Sequence, residues 1–144
     1  MYLTGIQQKN TVLVICKDSD ASVSHRLYIL PNDAMEERWT GRRLTGVEAE
    51  AISRTSDIRY ESQFLPDLKA MALSGAYENL YLDLFRYSSD DIDSPAHTMA
   101  ALICKEYPYL TLQNANPILR SLRTMKQPCE IAALRQAEKI TEAG

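Results

Sequence analysis

The sequence predicts an α/β sandwich on a mixed sheet, antiparallel at its start and parallel where helices cross over. Three observations predict it. Two short runs rich in Val, Ile, Leu and Tyr, Thr11–Lys17 and Arg26–Pro31, are separated only by the polar Asp18–His25, which is the pattern of a hairpin. Through the second half, strand-like and helix-like stretches alternate, as they do when helices cross over between parallel strands. Apolar residues make up 45% of the 144, enough to bury a core in one domain without disulfide or metal support.

The elements follow in order. Tyr2–Thr4 reads as the tail of a further strand ahead of the hairpin. In "LTGVEAEAIS", Thr45 stands three residues before Glu48, a capping box that opens a short helix running to about Ser53. Phe64, Leu68, Met71 and Ala72 recur at helical spacing, Pro66 is tolerable in the first turn, and Gly75 marks the end. Asn79–Leu84 (NLYLDL) has apolar residues at alternate and adjacent positions, the composition of a central strand covered on both faces. Ser94-Pro95 is an N-cap followed by Pro at the first helical position, with Met99, Leu102 and Ile103 forming the stripe behind it. Tyr109–Leu112 is a brief strand, and Asn116-Pro117 opens another short helix. Pro128 opens the last, whose Ala133, Leu134, Ala137 and Ile140 share one face while Arg135, Lys139 and Glu142 point away. There is no internal repeat or low-complexity tract; the polar Arg86–Ser94 reads as a mobile loop.

Charge and cysteine usage exclude several classes of function. The net charge is −3 and the 16 Lys and Arg are scattered, so there is no electrostatic footprint for nucleic acid or an anionic membrane. Cys16, Cys104 and Cys129 are odd in number and far apart, which predicts reduced, mostly buried thiols rather than a disulfide framework or zinc knuckle. No stretch approaches the roughly 20 apolar residues of a membrane span, and the N-terminus lacks the pattern of a signal peptide. The expectation is a soluble, cytoplasmic chain with a small soluble partner.

Self-contained chemistry is hard to find. "TGRRLTGVE" holds Gly41 and Gly46 but no Lys-Ser/Thr after the second glycine, so it is not a phosphate-binding P-loop. Asp90, Asp91, Asp93 and His97 have the donor types of a cation site. The competing and preferred reading is a solvated loop whose acidic residues favour the positive end of the helix behind Ser94. His25 is a lone histidine beside the hairpin turn and reads as a surface residue. Ser, His and Asp all occur, but a triad is recognised by geometry, not by presence.

Several segments nevertheless carry a resemblance when taken in order: "YLTGI" at Tyr2–Ile6, the strand pair, "MEERWTGRRLTGVEA" at Met35–Ala49, "NLYLDL" at Asn79–Leu84 and "LRTMKQPCEIAALRQAEKITEAG" at Leu122–Gly144. Most specific is the last, where Arg123, Lys126, Pro128, Glu130 and Ile131 form an R-x-x-K-x-P-x-E-I string; Trp39–Arg43 (WTGRR) is the second mark. In this order they resemble the N-terminal, creatinase/prolidase-like domain that precedes the pita-bread catalytic domain of Xaa-Pro aminopeptidases and dipeptidases. The resemblance implies a three-layer α/β/α fold, ribonuclease-H-like. It also implies that residues 1–126 are that domain without its first segment and that 127–144 are a linker helix leading into a catalytic domain beyond this chain.

For function, the resemblance implies a metal-dependent parent that hydrolyses the N-terminal Xaa-Pro bond with two divalent cations, commonly Mn²⁺. Paired metals of this kind generate hydroxide near neutral pH. The five ligands, two Asp, one His and two Glu, belong to the pita-bread domain. None maps onto this chain, so no catalytic residue, metal site or cofactor is expected within it. Its expected roles are homodimer association and gating of short peptides with proline second. Trp39, Arg42 and Arg43 are the substrate-gating candidates. Trp39 reads as a loop residue between two helical pieces, either a buried anchor or an indole projecting toward an adjoining subunit's pocket, with Arg42 and Arg43 fixing that loop through carboxylate or carbonyl contacts. The alternative function is a stand-alone peptide- or protein-binding module of the same fold, without an enzyme.

Overall fold

The computed structural model describes residues 2–143. The chain forms two compact units, Met1–Tyr77 and Glu78–Gly144.

In the first unit, β1 (Val12–Lys17) and β2 (Val23–Ile29) form the expected antiparallel hairpin, with Val12 opposite Tyr28 and Lys17 opposite Val23. The second strand starts at Val23 rather than Arg26, because the turn closes within five residues: the Asp18 amide donates to the Ser22 carbonyl and the Ala21 amide to the Asp18 carbonyl, both at 2.9 Å. The chain then passes through two helices, α1 (Ala34–Thr40) and α2 (Gly46–Ser53), before β3 (Asp57–Tyr60) pairs parallel with β2. A parallel pair needs such a crossover. A single 3₁₀ turn at Glu61–Gln63 leads into α3 (Phe64–Leu73).

Strand parity assigns the layers of this unit, since successive side chains point to opposite faces. Leu13, Leu27, Ile29 and Ile58 share one face, where they pack with Ile6, Leu44 and Ala49 of α2 into the hydrophobic core. Cys16, Arg26, Tyr28 and Arg59 lie on the other face, and α3 covers it. There the Phe64 ring meets the Tyr28 ring edge-on at 5.3 Å, and the Cys16 thiol lies 3.7 Å from the Met71 sulfur. Tyr28 is fully buried, and its hydroxyl donates to Asp67 at 2.8 Å; burial first, then this carboxylate, pushes the phenol up to about 12. Arg59 bridges Asp57 and Asp67, at 2.8 and 2.7 Å. Helix, sheet and helix thus stack in the expected order.

The second unit contains β4 (Asn79–Leu82), α4 (Pro95–Glu106), β5 (Thr111–Asn114), α5 (Asn116–Thr124) and α6 (Pro128–Ala143). β4 and β5 pair parallel, Asn79 opposite Thr111, with α4 as their crossover. Ala100 and Ile103 of α4 are buried.

Three expectations need correction, and one element was missed. Tyr2–Thr4 forms a turn, not a strand; what it delivers to the core is Ile6, which is 1% exposed. β4 is not covered on both faces: among the described residues its sheet has two strands, and half-buried Leu80 and Leu82 alternate with exposed Asn79 and Tyr81. Cys16 is buried as expected, but Cys104 and Cys129 are exposed, Cys104 on α4 and Cys129 on α6, a helix none of whose described side chains is buried. The strand at Asp57–Tyr60 was not anticipated at all.

Candidate functional site

The segment Pro31–Glu48 carries the three gating candidates. Asp33 opens α1 by accepting from the Met35 and Glu36 amides at 2.9 and 3.2 Å. Glu36 stands at the third helical position, where a capping box would return its carboxylate to the cap. Instead the Glu36 carboxylate is taken by the Arg43 guanidinium. α1 ends at Gly41, whose φ of +87° lies in the region that favours glycine, and where a Cβ would stand there is open space.

Trp39 lies on the last turn of α1, not on a loop, and it is 89% exposed. This overturns the buried-anchor alternative. The reason is the helix itself, which buries none of its residues and so provides no apolar surface for the indole to cover. Met35, one turn earlier, is exposed on the same side.

The two arginines behave differently. Arg42 reaches over the surface to Glu48 at 2.6 Å. Glu48 completes the Thr45 capping box anticipated from the sequence, accepting from the Thr45 amide at 2.9 Å. That amide, then Arg42, holds the Glu48 carboxyl down to about 2. Arg43 is buried, with 8% exposure. Besides Glu36, its guanidinium donates to the Pro31 carbonyl at 2.7 Å. Asn32 adds two bonds from its side-chain nitrogen, to Glu37 at 3.0 Å and to the Arg43 carbonyl at 3.2 Å. The Leu44 amide is received by Gln8 at 2.8 Å, so the loop after α1 is pinned at both of its basic residues and beyond.

Glu36 and Asn32 were not singled out from the sequence. The Asp33-x-x-Glu36 spacing is an N-cap signature that would have revealed α1, but the Glu36–Arg43 pairing spans seven positions through a turn and has no local signal.

The acidic loop of the second unit is organised by its own backbone amides and an ion pair. Asp91 accepts from the Tyr87 and Ser88 amides at 2.7 and 3.1 Å, and Asp93 pairs with Arg86. The two amides hold the Asp91 carboxyl below its usual range, that of Ser88 first. His97 bonds Ser94 at 2.8 Å, so the serine that was expected to cap α4 through its side chain is engaged by the ring. Among the described residues, no three or more His, Cys, Asp or Glu side chains stand together as a metal site. The residues present do not fit the paired cations implied by the resemblance. His25 is exposed on β2, opposite Ile15, rather than in the turn. No described helix is long and apolar enough to cross a membrane. What Pro31–Glu48 provides chemically is a presented indole, suited to apolar and stacking contact, on an ion-paired mount.

Comparison with known proteins agrees in kind. Residues 1–81 match the family model described as aminopeptidase P, N-terminal domain. Over 143 residues, 99% of this chain, the sequence is 27% identical to the Xaa-Pro aminopeptidase of Haemophilus influenzae and covers 31% of it. A solved structure from Bacillus anthracis, provisionally assigned as an aminopeptidase P, superposes with a TM-score of 0.85 at 28% identity, over 91% of this chain and 31% of that one. Zn-substituted Escherichia coli aminopeptidase P in complex with product superposes with a TM-score of 0.75 at 23% identity, over 97% of this chain and 32% of that one. The chain therefore spans about a third of the length of these relatives.

Proposed function

The chain belongs to the aminopeptidase P N-terminal domain family, and on that premise we propose that it is the non-catalytic, substrate-gating part of a metal-dependent Xaa-Pro aminopeptidase or dipeptidase. In this reading residues 1–126 are the domain and 127–144 lead into a pita-bread catalytic domain of the same polypeptide. Two divalent cations, Mn²⁺ in the first instance, would be held by that catalytic domain and would there supply an activated water; no group of described residues in this chain is placed to hold them. The protein works in the cytoplasm as a homodimer. This chain's own contribution is binding and exclusion. Trp39 forms part of the wall that an Xaa-Pro peptide meets, its indole offering a flat face for the proline ring, while Arg42 and Arg43 hold the mount.

The observation that carries this reading is the almost complete exposure of Trp39 on a helix end tied down by a buried arginine. An indole left in water costs a folded protein apolar burial it would otherwise gain, and such presented aromatics concentrate binding energy.

The test is Trp39→Ala in the full-length enzyme. Loss of an aromatic contact worth about 2 kcal/mol lowers kcat/KM for Xaa-Pro peptides by about 30-fold. The folding midpoint stays within about 0.5 kcal/mol of the original, because little surface is uncovered. A lowered midpoint with unchanged kinetics would count against the reading, as would a full-length protein that cleaves no Xaa-Pro bond.

A further inference from the structure

We propose that Glu36, Arg43 and Asn32 form a positioning strut that fixes the bearing of α1 and hence the direction in which Trp39 projects. α1 has seven residues and buries none, so the hydrophobic effect does not attach it to the unit. Its large apolar members, Met35 and Trp39, face solvent. The Asp33 cap shapes the helix but does not orient it, since both of its bonds are internal to the element's first turn. Gly41 gives no packing restraint at the other end.

Orientation therefore depends on polar ties. The Arg43 side chain is 9% exposed and that of Glu36 60%, so a buried cation reaches out to a carboxylate on α1. The second arm of the same guanidinium is anchored on the Pro31 carbonyl, at the point where the chain leaves β2. One planar group thus links the strand exit to the helix, and its fork geometry admits few arrangements. Asn32 repeats the link beside it, joining Glu37 of α1 to the Arg43 carbonyl. Glu36 and Trp39 are three residues apart on one rigid turn, so fixing the first fixes the second. Breaking the ion pair leaves a buried guanidinium short of its counter-charge, which penalises every other orientation of the helix.

The use of the strut rests on the gating reading above, but the strut itself is testable without any peptidase. The chain contains one tryptophan, so time-resolved fluorescence anisotropy of the 144-residue chain reports the motion of α1 together with the indole's own rotation, which is common to all variants. In the unmodified chain the decay follows overall tumbling, with a small fast component. Glu36→Ala is expected to raise the amplitude of the nanosecond or faster component about twofold or more. Asn32→Ala should do so to a lesser degree, and Glu36→Gln, which keeps an acceptor, should restore part of the restraint. Arg43→Lys serves as a second probe, since an ammonium cannot serve both partners as a guanidinium does. Circular dichroism midpoints show which variants are folded; should Glu36→Ala fail to fold, Glu36→Gln and Asn32→Ala decide the matter. Unchanged fast amplitudes in folded variants overturn the proposal. Released anisotropy in a chain whose full-length parent cleaves no Xaa-Pro bond leaves the strut standing and removes the gating reading alone.

Discussion

Replacing Asp67 by alanine tests how the polar layer beneath α3 holds this helix on the sheet. Asp67 accepts from the Tyr28 hydroxyl at 2.8 Å and from Arg59 at 2.7 Å. Tyr28 is 0% exposed, so Asp67→Ala strands a buried hydroxyl, at a cost of about 1–3 kcal/mol. Loss of the Arg59 contact adds less than about 1 kcal/mol, because both side chains retain solvent contact and Arg59 keeps Asp57. The sum is about 1–4 kcal/mol. Tyr28→Phe keeps the ring against Phe64 and leaves Asp67 its arginine, so it should cost only about 1 kcal/mol. In the double variant there is no stranded hydroxyl, and the two effects should fall short of additivity by about 1 kcal/mol or more. Urea unfolding followed by circular dichroism measures all three. With a slope of about 1–3 kcal/mol per molar, Asp67→Ala should shift the midpoint by about 1 M. The reasoning fails if Asp67→Ala costs under about 0.5 kcal/mol, or if the two substitutions simply add.

Two further outcomes are expected. Asp57 and Asp67 are held below the ordinary carboxylate range, Asp57 chiefly by its bond from Arg59 and Asp67 chiefly by that from Tyr28. Folded pKa values below the unfolded one, about 3.9, mean stability that is present above about pH 4 and lost as pH falls through the lowered values. Urea midpoints should therefore drop on acidification, with a shallower slope in Asp57→Asn/Asp67→Asn; equal slopes would contradict this. In α6, Ile131, Leu134 and Ile140 are all exposed, so its amides should exchange with deuterium faster than those of Leu27–Ile29; equal protection would mean that this helix is held by more than its own hydrogen bonds.

Much of the fold was legible because its signals are local. The Thr45–Glu48 box announces α2 within four residues, and the structure completes both of its reciprocal bonds. Pro95, Pro117 and Pro128 sit at or beside helix starts, where a missing amide proton does no harm. The hairpin was visible in its two apolar runs, and the family resemblance in WTGRR and the segment around Pro128. β3 was not legible, because Asp57 and Arg59 make "DIRY" read as a polar connection. Their charges are met across the sheet, where Arg26, Asp57, Arg59 and Asp67 pair with one another beneath α3.

The candidate site divides along the same line. Sequence alone determined that Trp39, Arg42 and Arg43 share one short stretch beside a capped helix, since these relations run over a few residues. It also determined which backbone positions accept a helix start. Tertiary structure decided which arginine is buried, which carboxylate it meets, and that the indole faces water. Arg42 and Arg43 are neighbours of one residue type, yet one lies on the surface with Glu48 and the other is buried between Pro31 and Glu36. No propensity separates them. Burial of a charge is favourable only where the path of the chain brings acceptors together from twelve and seven positions away, here the Pro31 carbonyl after β2 and the Glu36 carboxylate on α1.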